Sequence, residues 1–208
     1  KPSSAASDVY KRQSFQNVKV VPFLGTPGAI QSDSWNTTTY SNTLATKVGN
    51  LLHCASYNLS APMYVEGTKE KELIESIDEI AKVLHMAETA DIALIGIGSM
   101  QDDSSIIKAE IRTKEEYKEL VRKGAVGEIV GRIYDKNGQT VDEDLKRKMV
   151  GISLDKIAKI PVRVGMSYGK DKIEAIKGAI AGGLVNVLVT DVPTAELLLS
   201  LIHISEPT

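Results

Sequence analysis

Apolar positions recur along this chain in two alternating patterns. Apolar runs at residues 18–24, 90–95, 161–166 and 185–189 read as strands. The stretches between them repeat at three- and four-residue spacing and read as helices. A helix over residues 37–52 carries the stripe Tyr40, Leu44, Val48 and Leu51, with Ser34 or Asn36 as its cap. Another, over residues 70–87, sets Leu73, Ile77, Ile80 and Leu84 in register. Thr113 and Glu116 have capping-box spacing and open a helix that runs through Lys123 and stops at Gly124. Residues 154–160 form a short helix. Asp171 caps the next, which places Ile173, Ile176 and Ile180 on one face and ends at Gly182-Gly183. A last helix begins after Asp191. Residues 61–65 and 148–152 are short extended runs. Residues 129–134, the turn 135–138 and Thr140-Val141 read as a hairpin.

Strands that alternate with helices predict an α/β fold: a Rossmann-like, mostly parallel sheet with helices on both faces, plus the small hairpin. The run 185–189 is almost unbroken, as expected for a strand covered on both sides. The unit from 161 to 189 needs a right-handed crossover. Its strand-end turns then share one sheet edge, the edge at which such sheets bind ligands.

Composition narrows the function classes. The 208 residues carry a net charge of −2 and no dense Lys/Arg run, so this portion lacks an electrostatic footprint for nucleic acid. Cys54 is the single cysteine, which excludes an internal disulfide and suits a small core residue. His53, His85 and His203 show no metal-ligand spacing, and no metal or cofactor is expected. No apolar run reaches membrane-spanning length and no signal peptide is evident, which fits a cytoplasmic protein. The two ends, residues 1–13 and 200–208, resemble peptides translated from sequencing-adapter DNA. They are expected to be non-native tails flanking one natural segment, residues 14–199.

The chemistry on offer lies in the turns. No Gly-x-Ser-x-Gly, Walker loop or zinc spacing occurs. Gly96 and Gly98 after a strand allow close approach of a ligand to the backbone. The polar loop 99–105, with Asp102 and Asp103, reads as exposed. Gly124 and Gly127 precede Glu128, and Lys172 stands in the first turn of a helix, where the dipole disfavours a cation unless an anion is present. Thr190-Asp191 closes another strand, and Asp191 can equally be a helix cap. Asn42 lies off its helix stripe. Donors, a carboxylate and a cation around glycine turns suit a small polyhydroxylated anion such as a sugar phosphate.

Taken in order, the segments Ala90-Asp-Ile-Ala-Leu-Ile-Gly-Ile-Gly98, Gly124-Ala-Val-Gly-Glu-Ile-Val-Gly131, Asp135-x-Asn-Gly138, Val150-Gly-Ile152, Lys172-Ile-Glu-Ala-Ile176 and Val187-Leu-Val-Thr-Asp-Val-Pro-Thr-Ala195 resemble the SorC family of bacterial transcriptional regulators. The likeness is to the effector-binding domain and covers residues 18–199. It implies a fold similar to ribose-phosphate isomerase and glucosamine-phosphate deaminase. It also implies binding of a phosphorylated sugar, control of operator DNA through a missing N-terminal helix-turn-helix, and a homo-oligomer, dimer or tetramer, without catalysis. It places the effector carboxylate on Glu128, the phosphate-side lysine on Lys172 and a helix polar position around Tyr40–Asn42. Asn42, Gly98, Glu128, Lys172 and Asp191 are thus the expected ligand-binding set. The chain departs from the family pattern at Lys148, often arginine, and at Tyr168-Gly169, often two glycines. The family's early Gly/Thr-rich phosphate turn, upstream of the 18–24 strand, is missing. The rival expectation is an isomerase or deaminase on the same fold, with Glu128 as general base and Lys172 as its electrostatic partner.

Overall fold

A three-stranded parallel sheet orders the molecule, and its middle strand comes late in the chain. The computed structural model describes residues 17–27, 40–101 and 104–204. Helix α1 is Ser41–Leu52 and sits beside the parallel pair β1 (Lys19–Val20) and β2 (Ala55–Ser56). Helices α2 (Thr68–Glu75) and α3 (Asp78–Glu88) lead into β3 (Ile92–Gly96) and the two-residue β4 (Gly98–Ser99). After α4 (Ser105–Lys108) and α5 (Lys114–Arg122) come β5 (Ala125–Ile129) and β6 (Arg132–Asp135). Then follow α6 (Glu143–Lys148), α7 (Leu154–Ile157), β7 (Val162–Met166), a 3₁₀ turn Lys170–Lys172, α8 (Ile173–Ala181), β8 (Val187–Val189) and α9 (Val192–Ile204). The parallel sheet has the order β3-β7-β8, and a second, antiparallel sheet has the order β4-β5-β6.

The α/β architecture with parallel strands is as expected. The coverage of the sheet differs. On one face Ala93 and Ile95 are fully buried and join Ile173, Ile176, Leu184 and Leu198 in the main core. The register pairs Ile92 with Val162, Leu94 with Val164, Val164 in turn with Val187, and Met166 with Val189. Of that opposite face, Ile92 is 58% exposed, Leu94 54% and Val189 56%. Thus the continuous apolar run of β8 does not mean two covered faces here. Among the described residues, only one face of these strands is packed.

Several local expectations also give way. The helix over 70–87 is two helices, because Ser76 donates its hydroxyl to the Leu73 carbonyl at 2.7 Å and Ile77 is extended. That local bond competes with the helix ladder. Leu73 and Ile77 end up exposed, while Ile80, Val83 and Ala87 face inward. In α1 the buried residues are Ala45 and Gly49, and Leu44 and Leu51 are exposed. Helix close packing selects small residues here: a Cβ on Gly49 would stand 2.8 Å from the Ser56 Cβ. The caps proposed for that helix, Ser34 and Asn36, lie outside the described residues, as do Asp102 and Asp103. Cys54 is half-buried rather than core.

Where a strand was expected through 129–134, the chain reverses at Val130-Gly131. Both residues have positive φ, 50° and 67°, as a tight two-residue hairpin requires. The expected 135–141 return survives as one bridge, Tyr134 to Thr140. Residues 143–148 are helical, capped by Asp142, which accepts from the Leu145 N–H at 2.9 Å. The capping box at Thr113 and Glu116 is present in both directions. Helix α9 continues to Ile204, past the boundary expected after residue 199.

A buried cation ties the two halves of this region together. Arg132 is 2% exposed and donates to the carbonyls of Val130, Met149 and Gly151. Burial pushes its pKa down to about 10, while Glu75 and Asp155 act in the opposite sense. Among the described residues no helix is long and apolar enough to cross a membrane.

Candidate functional site

Parallel strands direct their carboxyl ends to one edge, and the polar residues of this chain converge there. Strand β3 ends at Gly96, and two residues later Gly98 begins β4. Gly98 pairs with Glu128 and Ser99 with Gly127 across the antiparallel β4–β5 ladder. The step from β3 to β4 therefore carries the chain from the parallel sheet onto the strand that pairs with β5, the strand bearing Glu128. Gly127 has no room for a side chain: a Cβ would collide with the Tyr134 ring and stand 2.8 Å from the Ala175 Cβ. Gly98 is different, since a Cβ would meet only ordinary contacts with Glu128, the nearest at 3.5 Å. Packing does not demand glycine at 98, which leaves close approach of a ligand as a reason for it.

Glu128 is a buried carboxylate, 9% exposed. Ser104 donates its hydroxyl to Glu128 Oε2 at 2.8 Å and accepts from the Ile106 N–H at 3.1 Å. The serine thereby holds the carboxylate and the start of α4 together. The Tyr134 phenol, which donates to the Ala175 carbonyl at 2.9 Å, is held well above its ordinary range, first by burial and then by the charge of Glu128.

The cationic pole comes from the turn after β7. Gly169 has φ 108° and ψ 150°, a conformation open only to glycine, and the 3₁₀ turn Lys170–Lys172 follows. Lys172 Nζ donates to Ser99 Oγ at 2.8 Å and lies 3.4 Å from Asp171 Oδ2. Ser99 in turn donates to Asp171 Oδ2 at 3.3 Å. Ser99 thus links Lys172 to the strand pair that carries Glu128. Asp171 was expected to cap the following helix. Instead its carboxylate turns to Lys172 and Ser99, and the N-terminus of α8 has no side-chain cap. Desolvation raises the Asp171 pKa, but Lys172 and the hydrogen bonds outweigh it and the net direction is down.

Asp191, at the end of β8, accepts from the Thr194 N–H at 3.1 Å and so caps α9. Thr194 Oγ1 accepts from the Gly169 N–H at 2.8 Å, which ties that helix to the Lys172 turn. Asp191 therefore borders the site in a supporting role. Asn42 is not brought to it. Its amide donates to the Leu59 carbonyl at 3.1 Å and accepts from the Leu59 N–H at 2.9 Å, pinning a buried backbone segment. A separate depression of about 420 Å³ beside Asn42, lined also by Thr46, Lys47, Asn58 and Ser60, shares no residue with the Glu128–Lys172 group.

The structure thus sets Gly98 against Glu128 on the β4–β5 ladder and ties Lys172 to the next residue, Ser99, with Asp191 bordering the Lys172 turn and Asn42 bonded to Leu59. Ser99, Ser104 and Asp171 were missed as site residues. Their one signal was position: each stands beside a glycine turn or in the polar loop between two strands. The arrangement offers a hydroxyl-accepting carboxylate opposite Gly98 and a hydrogen-bonded ammonium at the next residue, Ser99. No group of three or more His, Cys, Asp or Glu residues able to hold a metal occurs among the described residues.

The chain is similar to known proteins. Residues 3–200 match the family described as "Putative sugar-binding domain". The transcriptional regulator LsrR of Escherichia coli O9:H4 (strain HS) is 36% identical over 158 residues, 74% of this chain and 50% of that protein. LsrR of Enterobacter sp. (strain 638) is 33% identical over 151 residues, 71% of this chain and 47% of its own length. This chain spans about half the length of these curated relatives. Among solved structures, the full-length sorbitol operon regulator SorC from Klebsiella pneumoniae superposes with a TM-score of 0.79 at 29% identity, over 90% of this chain and 60% of that one. A DeoR family transcriptional regulator from Listeria monocytogenes gives 0.78 at 26% identity, over 89% and 71%.

Proposed function

The chain belongs to the sugar-binding domain family of SorC-type regulators, and on that premise we propose that it is the effector-sensing part of a sugar-responsive transcriptional regulator. Its effector is a phosphorylated sugar. Lys172, with Ser99, receives the phosphate, and Glu128 accepts hydrogen bonds from sugar hydroxyls. The observation that carries this reading is the placement of Lys172, Ser99 and Glu128 at the carboxyl edge of the parallel strands, where ligands of such sheets bind. The names of the relatives favour a regulator over the isomerase or deaminase reading. In a longer protein of the relatives' length, a DNA-binding portion responds to the state of this domain. Such a protein acts in the cytoplasm as a homo-oligomer.

Calorimetric titration with a panel of sugar phosphates tests the reading. Lys172 is three-quarters buried, so removing its charge leaves a phosphate without its partner. Lys172→Met is expected to weaken the best-bound sugar phosphate by about thirtyfold, or about 2 kcal/mol. The free protein is expected to keep its fold, because Asp171 is half exposed and its pair with Lys172 is worth less than about 1 kcal/mol. Undiminished affinity in Lys172→Met would refute the assignment of the phosphate pole.

A further inference from the structure

Among the polar groups at the strand ends, Asp171 is the one whose position works against the proposed ligand. It does not cap α8. Its carboxylate lies 3.4 Å from Lys172 Nζ and accepts from Ser99 Oγ at 3.3 Å. Those are the two donors assigned to phosphate. Resting on the phosphate reading above, we infer that Asp171 is a built-in competitor, an internal anion that holds Lys172 and Ser99 and must release them before a phosphate can bind.

Two further features fit this role. The Asp171 side chain is half exposed, at 51%, so it can swing to solvent without breaking the core. Gly169 leaves the space it occupies: a Cβ there would stand 2.7 Å from Asp171 Oδ1. A side chain at 169 would press the carboxylate out of its place beside the lysine. The glycine therefore serves both the turn and the inward position of Asp171. The consequence is a threshold. A phosphate, with up to two charges and three acceptor oxygens, can displace one carboxylate. A weakly charged ligand meets a lysine that is already neutralised.

Titration calorimetry with inorganic phosphate at neutral pH tests the inference on this chain, Asp171→Asn, Asp171→Glu, Lys172→Met and the Asp171→Asn/Lys172→Met double variant. Asp171→Asn is expected to bind phosphate two- to fivefold more tightly, the worth of a partly exposed ion pair. Asp171→Glu, which keeps the charge, should stay near the parent. In the Lys172→Met background the Asn substitution should bring no gain, since no lysine is left to compete for. If Lys172→Met weakens phosphate binding but Asp171→Asn leaves it unchanged or weaker, the competitor role is wrong and the phosphate pole stands. A gain that persists without Lys172 is plain charge repulsion and overturns competition. If Lys172→Met binds as the parent does, or neither parent nor Asp171→Asn binds phosphate, the phosphate reading itself falls. Unchanged melting of Asp171→Asn shows that the comparison is between folded proteins.

Discussion

Glu128 shows how much one residue's neighbours decide. A carboxylate in mid-strand is costly to bury unless it is hydrogen-bonded, and Ser104 supplies that bond at 2.8 Å. The bond fixes one oxygen and orients the group at the edge where Gly98 leaves access. Glu128→Gln keeps the shape and one acceptor oxygen, and the Ser104 hydroxyl can still donate to it. Sugar-phosphate affinity in this variant is therefore expected to drop by about tenfold at most, less than in Lys172→Met. Calorimetry on the two variants side by side checks the order. A larger loss at Glu128 would move the charge-dependent contact from the phosphate to the sugar.

At the scale of elements, the parallel sheet has two unlike faces built from equally apolar residues. Leu94 and Ile95 are neighbours in β3, yet Leu94 is 54% exposed and Ile95 1%. Ile95→Ala removes packed methyl groups from the core and is expected to cost about 2–5 kcal/mol. Leu94→Thr exchanges an exposed leucine for another good strand former and should cost less than about 0.5 kcal/mol in this chain. Urea unfolding of the two variants separates the cases. Equal losses would mean that the outer face is packed in solution. Helices α2 and α3 carry the same lesson: one serine hydroxyl bonded to the backbone splits a continuous apolar repeat into two helices.

For the molecule as a whole, charge governs what it can meet. A net charge of −2, a sequence pI near 6.0 and no dense Lys/Arg run give this chain no excess of positive charge with which to neutralise phosphates. This chain alone is expected to give no sequence-specific, salt-sensitive gel shift with operator fragments. Such a shift would place DNA recognition inside the sensing domain.

What could be read without coordinates was whatever depends on near neighbours in sequence. The capping box at Thr113 and Glu116, the Ile173 and Ile176 face of α8, and the strands around Ile95 and Val164 all came from local periodicity, because backbone geometry sets those spacings. The series of glycine-flanked segments brought out the family, and with it Glu128 and Lys172 as candidate site residues. Tertiary structure decided the rest, because contacts between distant residues leave no local trace. Asn42 and Leu59 are 17 residues apart, and only the fold shows that the Asn42 amide is spent on the Leu59 backbone. Ser99 and Lys172 are 73 apart, and nothing near either residue announces their bond. Which face of β3 is covered depends on where α8 and α9 come to rest, not on the strand's own apolar run. Asp171 has the residue type and position of a helix cap, and it fails to act as one because the ammonium of Lys172 and the Ser99 hydroxyl compete for the same carboxylate.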